Sequence, residues 1–574
     1  MIPTLKTRSA TPSASLASSN VSDILKRLYA NRGVRDAADI DLALKNLHPP
    51  QTLRGIGDAA ALLADAIEGE ARVMVIGDFD ADGATSVALA GSVLRQLGLK
   101  EVSYLVPNRF EFGYGLSPEI VALAANSEPD LIVTVDNGIS SHAGVMTAQG
   151  FGMSVLITDH HLPGDDLPQA DVIVNPNQPG CQFPSKALAG VGVMFYVLTA
   201  LRAELRNRGW FEETGREPPN LADSLDLVAL GTVADVVPLD RNNRILVAAG
   251  LARIRAGRAR PGIDALLEVA GRDGKSLSST DLGFVLGPRL NAAGRLDDMS
   301  VGIECLLAES GAAARPLAAK LHELNRERRD IESDMQEEAE SQLQSLALDA
   351  ESIPYGLCVY QPSFHQGVVG IVASRLRERY HRPTIVFADA GSGELKGSGR
   401  SIDGVHIRDV LDAVAASHPG LIEKFGGHAM AAGLTLAADR LQEFDEAFDR
   451  AVAGALRGIP PEATLETDGQ LGPNDLDLQT AELLQAAGPW GQHFPEPLFE
   501  GVFQVLDQRL LKEKHLKLQL DHKGRRLEGI AFNVDLDHWP DPSAGHVGLV
   551  YQLDINEYRG ERRLQLMIKH LWKP

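Results

Sequence analysis

One short stretch of this chain carries three acidic residues at alternate positions. In VMVIGDFDADGATS, which runs from Val73 to Ser86, an apolar run is followed by Asp78, Asp80 and Asp82. Such a run predicts a buried strand of a parallel sheet, and α/β folds bind ligands in the loops after these strands. Carboxylates packed this densely repel one another unless a cation neutralises them. The stretch therefore predicts a divalent-metal site, with an acidic surface turn as the alternative.

Two further predicted strands end in side chains that suit the same site. LIVTVDNG ends in Asp136, and VLITDHH ends in Asp159, His160 and His161, of which the two histidines are the candidate ligands. The carboxyl ends of the strands of a doubly wound sheet share one edge, so these groups can converge with the aspartates. A single Asp at a strand end is more often a helix N-cap or a turn residue than a ligand. Three such ends in one chain favour the metal site.

Two more segments carry residues that suit phosphate chemistry. LDLVALGTVADVVPLD places Asp235 after a helix-like run, where a turn residue and a metal ligand explain it equally well. GPRLNAAGRL carries Arg289, Asn291 and Arg295. Two arginines around a turn of small residues suit phosphate contact, and a surface turn with salt bridges explains them about as well.

A second α/β region begins at Tyr355 and has its own group of polar residues. The predicted strand ELKGSGRS contains Ser398 and Arg400, and the glycine turn FGGHAMAAG contains His428. Glycines allow the backbone to approach a ligand closely, so the two loops together predict a binding site in this region. In the first region, the Gly- and aromatic-rich loop PNRFEFGYGLS contains Arg109.

Composition places these segments in a protein of several domains. The 574 residues suit three or four domains at roughly 150 residues each. A hydrophobic fraction of 44% with 23% charged residues is typical of a soluble globular protein. The net charge of −22 argues against a surface coated in non-specific nucleic-acid contacts, although a local basic groove remains compatible with it. Three widely separated cysteines predict a reducing compartment, and no apolar run is long enough to span a bilayer, so we expect a cytoplasmic protein.

The remaining segments predict the elements that position these groups. The Ser- and Thr-rich N-terminus predicts a disordered leader, followed by a small helical cap up to residue 69. The charged segment 318–349 predicts a long, exposed helix that links two domains. From residue 461 onwards, short strands of alternating pattern predict a small β-module with scattered basic and aromatic residues. An OB-type barrel that binds single strands fits this module, and a purely structural β-domain is the alternative.

Taken in order, six motifs resemble those of the DHH phosphoesterase superfamily, namely DFDADG, DNG, TDHH, GTVADVVPL, GPRLNAAGR and FGGHAMAAG. The resemblance covers residues 70 to 450 in detail and is closest to the bacterial single-stranded-DNA exonucleases of that superfamily. It implies an α/β fold in four parts. These are a doubly wound parallel-sheet DHH domain at 70–317, the linking helix at 318–349, a second, smaller α/β DHH-associated domain at 350–457 and a C-terminal OB-type β-barrel at 461–574.

The resemblance also implies two divalent cations, Mn²⁺ or Mg²⁺, with Asp136 as the bridging ligand. The implied metal ligands are Asp78, Asp80, Asp82, Asp136, His160 and Asp235. Oxygen-rich ligation with one imidazole suits these metals better than thiolate-seeking ones. His161 is expected to touch the scissile phosphate or to orient a ligand. Arg289, Asn291 and Arg295 are expected to hold the non-bridging phosphate oxygens.

The function that the resemblance implies is degradation of single-stranded DNA from the 5′ end to 5′-mononucleotides, by two-metal hydrolysis, in DNA repair and recombination. The residues expected to bind the terminal 5′-phosphate are Arg109, Ser398, Arg400 and His428. The implied partners are single-stranded DNA, a single-strand-binding protein and a RecQ-type helicase, with no membrane. Two alternatives stay open: a phosphoesterase of short oligonucleotides or nucleoside bisphosphates, and a non-catalytic DNA-binding scaffold. An oxidoreductase is excluded because no GxGxxG follows the first strand.

Overall fold

A computed structural model describes residues 3–108, 115–345, 353–536, 538–558 and 560–574. The chain divides into two compact units. The large unit contains Lys6–Gly294, Asp298–His322 and Glu466–Pro574. The small unit contains residues 3–5, Arg295–Asp297 and Glu323–Leu465.

The N-terminal region is ordered from its first described residues, so the predicted disordered leader is wrong. It contains β1 (Thr4–Thr7), α1 (Ala14–Ala17), α2 (Asp23–Asn31) and α3 (Ile56–Glu68), and β1 pairs with a strand at Thr464–Thr467. Leu16 is fully buried. Arg32 Nη2 donates to the buried carboxylate of Asp468 at 2.9 Å, across 436 residues of sequence. Such distant partners order the segment, and its local composition does not reveal them.

The large unit is built on a sheet of five parallel strands. They are β2 (Arg72–Ile76), β3 (Glu101–Leu105), β4 (Leu131–Val135), β5 (Ser154–Thr158) and β6 (Val172–Val174). Their order in the sheet is β3-β2-β4-β5-β6. The order reverses between β2 and β4, and ligands of doubly wound sheets bind outside the carboxyl ends of the strands at such a switch point.

Helices cover both faces of this sheet, as the predicted doubly wound fold requires. The first four are α4 (Ala81–Leu97), α5 (Pro118–Ala125), α6 (His142–Gly150) and α7 (Gly190–Asn207). α5 and α6 pack on a core that includes Met74, Ile132 and Ile157 of the strands, and α4 and α7 contact the strands from the opposite side.

A set of shorter helices follows α7 and completes this part of the large unit. They are α8 (Trp210–Thr214), α9 (Leu225–Ala234), α10 (Arg241–Arg255), α11 (Pro261–Ala270), α12 (Ser279–Asp281), α13 (Gly287–Leu296) and α14 (Ser300–Leu307). A π-helical turn, Leu282–Leu286, joins α12 to α13. α15 (Gly311–Ser345) is the long helix, with 35 residues.

The small unit contains a second, mixed sheet. Its elements are β7 (Leu357–Tyr360), α16 (Val369–Tyr380), β8 (Thr384–Gly391), β9 (Glu394–Arg400), α17 (Ile407–Ser417), β10 (Lys424–Gly427), β11 (Ala431–Ala437) and α18 (Leu441–Ala455). The strand order is β10-β11-β9-β8-β7, in which only the β7–β8 pair is parallel among the described strands.

The C-terminal part of the large unit is a closed barrel. It follows β12 (Thr464–Thr467) and α19 (Leu478–Ala486) and consists of β13 (Phe499–Leu511), β14 (His515–His522), β15 (Arg525–Ala531), β16 (His546–Tyr558) and β17 (Glu561–Trp572). The strands close in the order β13-β14-β15-β17-β16, with β15 parallel to β17. The predicted fold class, two α/β domains and an OB-type barrel, is confirmed. Within the described residues, no helix combines the length and the apolarity that crossing a membrane requires.

Candidate active site

The loop after β2 presents the three alternate aspartates at the start of α4. Asp80 is the N-cap of α4, and its Oδ1 accepts a hydrogen bond from the Gly83 amide at 2.9 Å. Gly83 lies so close to the backbone of Asp78 that a Cβ at this position would overlap it. The tight turn therefore requires glycine. It brings Asp78 and Asp82, both buried, to the switch point of the sheet.

Asp82 is held by the first turn of a second helix. Its Oδ2 and Oδ1 accept the backbone amides of Gly190 and Val191 at the N-terminus of α7, at 2.6 and 3.0 Å. A helix N-terminus stabilises a carboxylate. Burial and the nearby charge of Asp80 nevertheless outweigh these bonds and raise the pKa of Asp82 to about 7. Its ionised form therefore needs a further positive charge in the site.

Asp136 follows β4 in a backbone conformation that few residues adopt. Its φ is 63°, in the left-handed region that Asp tolerates better than most side chains. Gly190 packs against it so closely that a Cβ on Gly190 would stand 2.6 Å from the Cβ of Asp136. Burial, followed by the charges of Asp82 and Asp80, raises the pKa of Asp136 well above its usual value. The fold thus fixes a strained, buried carboxylate at the switch point.

His160 joins the end of β5 to carboxylates from β4 and α9. Its Nε2 lies 3.0 Å from Oδ1 of Asp136 and 3.4 Å from Oδ2 of Asp235. Asp235 is the C-cap of α9, and burial, followed by the charge of Asp82, raises its pKa well above the usual value. A Cβ on Gly231, one turn earlier, would stand 2.8 Å from Oδ1 of Asp82. Glycine at this position lets α9 bring Asp235 into the cluster.

Three overlapping sets of donor atoms suit metal ions. Within each set, one oxygen or nitrogen of each residue lies within 4.8 Å of the others. The sets are Asp78 with Asp80 and Asp136, Asp136 with His160 and His161, and Asp82 with His160 and Asp235. Asp136 and His160 each belong to two sets, which suits two neighbouring ions. Carboxylate oxygens with imidazole nitrogen fit Mn²⁺ and Mg²⁺, whose charge would relieve the repulsion among these carboxylates.

Asp159 is a functional candidate that the sequence analysis did not select. Its side chain is fully buried, and its Oδ1 lies 2.7 Å from Nδ1 of His161. It also accepts the backbone amides of His160, His161 and Ile139. Burial lowers the pKa of His161, but the bond to Asp159 and the surrounding carboxylates raise it to about 8. The sequence feature that could have identified Asp159 is its position between a buried strand and two histidines.

α13 brings Asn291 to the aspartate loop. Oδ1 of Asn291 accepts the backbone amide of Ala81 at 2.7 Å. Gly294 lies against the carbonyl oxygen of Phe79, where a Cβ would overlap that oxygen. α13 therefore supports the loop that carries Asp78 and Asp80.

Arg289 lies on the same helix and is buried, with 5% of its surface exposed. Its Nη1 donates to the carbonyl oxygen of Val285 at 2.5 Å, and its Nη2 lies 3.2 Å from Nδ1 of His322. His322 is a second residue that the sequence analysis did not select. The sequence gives little indication of a role for His322, because it is one polar residue in a long, charged helix.

Ser398 and Arg400 lie together in the small unit. Nη1 of Arg400 donates to Oγ of Ser398 at 3.1 Å. Both residues approach the N-terminus of α16, where a Cβ on Gly370 would stand 2.9 Å from each of them. His428 lies in the turn between β10 and β11 and donates its backbone amide to Ala431, whose strand partner is Arg400.

Two predicted site residues remain, Arg295 and Arg109. Arg295 belongs to the small unit, where its Nη1 donates to the carbonyl oxygen of Gly367 at 3.1 Å. Arg109 lies outside the described residues.

Three family models match the chain in sequence. The DHH family N-terminal domain matches residues 72–232, the DHHA1 domain matches residues 354–454 and the RecJ OB domain matches residues 467–570. These segments coincide with the parallel sheet, the mixed sheet and the closed barrel.

Relatives and solved structures agree with the family models. The single-stranded-DNA-specific exonuclease RecJ of Dickeya dadantii is 57% identical over 551 residues, which are 96% of each chain. The crystal structure of RecJ from Thermus thermophilus in complex with Mn²⁺ has a TM-score of 0.80 at 31% identity, covering 100% of this chain and 80% of that one. Its complex with Mg²⁺ has a TM-score of 0.76 at 29% identity, with 100% and 78% covered.

Proposed function

We propose a function on the following premise: this chain belongs to the family of single-stranded-DNA-specific exonucleases named RecJ. It is a metal-dependent exonuclease, and its substrate is single-stranded DNA. We infer that it starts at the 5′ end, releases 5′-mononucleotides and acts in DNA repair and recombination. The observation that carries the proposal is the convergence of Asp136, His160 and Asp235 with the aspartate loop at the switch point of the sheet.

The cluster is the proposed binding site for two divalent cations, Mn²⁺ or Mg²⁺. Its proposed ligands are Asp78, Asp80, Asp82, Asp136, His160 and Asp235. When bound, such ions lower the pKa of a water molecule and neutralise charge on the attacking and leaving oxygens of a phosphodiester. The chain contributes the geometry: Gly83, Gly190 and Gly231 let three segments approach one another until their carboxylates meet.

Four side chains are proposed to hold the scissile phosphate. His161, whose Nδ1 lies 2.7 Å from Oδ1 of Asp159, can donate from Nε2 to a phosphate oxygen. Arg289 and Asn291 extend from α13 beside the aspartate loop, and Arg295 is proposed for the same role from the end of that helix. Preorganised donors of this kind stabilise charge that develops on the phosphate in the transition state.

Recognition of the 5′ end is proposed for the small unit. Ser398, Arg400 and the N-terminus of α16 supply a hydroxyl, a guanidinium and backbone amides around Gly370, and this combination suits a terminal phosphate. His428 is proposed as a further contact of the small unit, and Arg109, which falls within the sequence range of the large unit, is proposed as another phosphate-binding residue. A terminal phosphate carries more charge than an internal one, so such a pocket would select chain ends.

The proposed cellular setting is the cytoplasm. All three cysteines are free thiols, which suits a reducing compartment. The proposed protein partners are a single-strand-binding protein and a RecQ-type helicase, because one covers and the other produces the single strand that this enzyme consumes.

The test uses single-stranded DNA labelled at either end, with Mn²⁺ or Mg²⁺. We expect the wild type to release the 5′ label as mononucleotide at once and the 3′ label only at completion. Asp136→Asn should lose roughly 100-fold or more of this activity, as expected for loss of a charge-stabilising group. Asn also tolerates the left-handed backbone at this position, so the substitution removes charge without new strain.

Asp130→Asn is the matched control, because Asp130 precedes β4 as Asp136 follows it, yet it is exposed and pairs with Arg72. It should retain wild-type activity. Early release of the 3′ label, or equal activity in both variants, would contradict the proposal.

A further inference from the structure

Phe284 exposes most of an aromatic side chain in the π-helical turn between α12 and α13. It is 76% exposed, although burial of such a side chain stabilises a folded protein. Leu282 and Leu286, at the two ends of the same turn, are fully buried. The turn is therefore anchored by its leucines and holds the aromatic ring in solvent.

The turn that carries Phe284 packs against the end of α9. A Cβ on Gly283 would stand 3.2 Å from Cγ1 of Val233, in the last turn of that helix. Asp235 caps the same helix and lies 3.4 Å from His160. The turn is π-helical, a conformation found frequently at functional sites. The turn that carries the ring thus packs against the helix that supplies a metal-site carboxylate.

A second exposed apolar residue adjoins the same carboxylate. Val236 follows Asp235 directly and is 62% exposed. Its φ is 60°, which is strained for a β-branched residue. Strain of this kind persists where the surroundings impose it, and it concentrates at ligand-binding sites.

The turn is also tied to a residue proposed to bind phosphate. The carbonyl oxygen of Val285, the neighbour of Phe284, accepts a hydrogen bond from Nη1 of Arg289 at 2.5 Å. The ring and the arginine therefore belong to one continuous stretch of backbone, and this stretch packs against the helix that Asp235 caps.

We propose that Phe284 stacks on one base of the single-stranded DNA substrate while the scissile phosphate lies in the metal cluster, and that Val236 makes an apolar contact with the same nucleotide. This inference rests on the proposed exonuclease function. Every unpaired base has a flat aromatic face, so a ring beside the cleavage site binds the strand by stacking, without sequence specificity. Bases inside a duplex are stacked on one another, so the same contact favours single strands.

The experiment follows stepwise degradation of 5′-phosphorylated single strands that contain one abasic residue at a defined position. The wild-type enzyme should pause at the step in which the abasic residue reaches Phe284. Stacking contributes about 1–3 kcal/mol per base, so the step should slow by roughly 5- to 150-fold, at a factor of ten per 1.4 kcal/mol.

Three variants separate stacking from other roles of the side chain. Phe284→Ala should degrade ordinary strands more slowly, with a raised KM, and should show no added pause at the abasic residue. Phe284→Trp should restore both the rate and the pause, whereas Phe284→Leu, which is apolar without a π-face, should restore neither. Phe151→Ala is the matched control, because Phe151 is also exposed, at the end of α6, and should behave like the wild type.

The result that would overturn the proposal is a wild-type enzyme that passes the abasic residue without a pause at any step. An unchanged pause in Phe284→Ala would overturn it equally, and would leave a protein partner as the explanation of the exposed ring. Both outcomes differ from failure of the proposed function, in which the wild type would not degrade unmodified single strands at all.

Discussion

Nδ1 of His161 lies 2.7 Å from Oδ1 of Asp159, a carboxylate that is itself fully buried. The same side chain accepts three backbone amides, two of them from the histidines. Asp159 therefore fixes both the orientation of the His161 ring and the course of the backbone through the two histidines.

Asp159→Asn should lower kcat by about 10- to 100-fold, as is typical when a partner that orients a metal-site histidine is removed. An amide keeps one acceptor oxygen but loses the negative charge that faces Nδ1 of His161. Steady-state kinetics on 5′-phosphorylated single strands will measure the loss. Asp171→Asn is the control, since Asp171 accepts the backbone amide of Val155 at the other end of β5. A variant of Asp159 with unchanged kcat would contradict the positioning role.

Gly294→Ala should impair metal binding although residue 294 carries no ligand. A methyl group there would overlap the carbonyl oxygen of Phe79, so the loop bearing Asp78 and Asp80 must shift. Overpacking of this kind costs about 1–3 kcal/mol. Isothermal titration calorimetry should show that the variant binds Mn²⁺ more weakly than the wild type does. Gly150→Ala, which has open space around the new Cβ, should bind Mn²⁺ normally. Equal affinity in the two variants would show that the loop tolerates the shift.

The core of the site is predictable from sequence because it depends on local pattern. An apolar run followed by Asp78 and Asp80, and another followed by Asp136, predict strand ends, and parallel strands bring their carboxyl ends to one edge. Asp235 is different, since its segment predicts a turn residue equally well. Only the packing of α9, permitted by Gly231, places it beside His160.

What the sequence does not reveal are contacts between distant segments. The amides that hold Asp82 come from Gly190 and Val191, 108 and 109 residues further along the chain. Arg8 of the Ser- and Thr-rich N-terminal segment lies 3.6 Å from the carboxylate of Asp468, and Leu16 is fully buried, although the composition of this segment predicts disorder. Asp159 has the same residue type as the proposed ligands, and only its hydrogen bonds distinguish its role.

Removal of divalent metal should destabilise the wild type more as the pH rises. The pKa of Asp82 is raised to about 7, and that of Asp136 lies well above its usual value. For a carboxyl group with a raised folded-state pKa, the stability present at low pH is lost as the pH rises through that pKa. The difference in Tm between Mn²⁺ and EDTA should therefore grow from pH 5.5 to pH 8, by roughly 2 °C for each kcal/mol of stability that the metal restores.

Asp136→Asn tests whether repulsion among the buried carboxylates causes this pH dependence of stability. In EDTA the variant should have a higher Tm than the wild type, because the substitution removes one of several buried negative charges that repel one another. Mn²⁺ should raise the Tm of the variant less than it raises the Tm of the wild type. Asp130→Asn should follow the wild type in both buffers. A variant at residue 136 that melts below the wild type in EDTA would show that its carboxylate stabilises the metal-free fold.

Arg400→Ala should discriminate between the two kinds of 5′ end. Arg400 donates to Ser398 and lies against Gly370 at the N-terminus of α16, so its guanidinium has a fixed position for a terminal phosphate. We expect kcat/KM on 5′-phosphorylated strands to fall by about 10- to 100-fold, as charge-assisted hydrogen bonds contribute about 1.5–3 kcal/mol. The same strands with a 5′-hydroxyl should lose little. Arg440→Ala removes an exposed arginine that pairs with Glu443 in the same unit and should leave the preference intact. Equal losses on both substrates would assign Arg400 a structural role, because a terminal phosphate is the only group in which the two substrates differ.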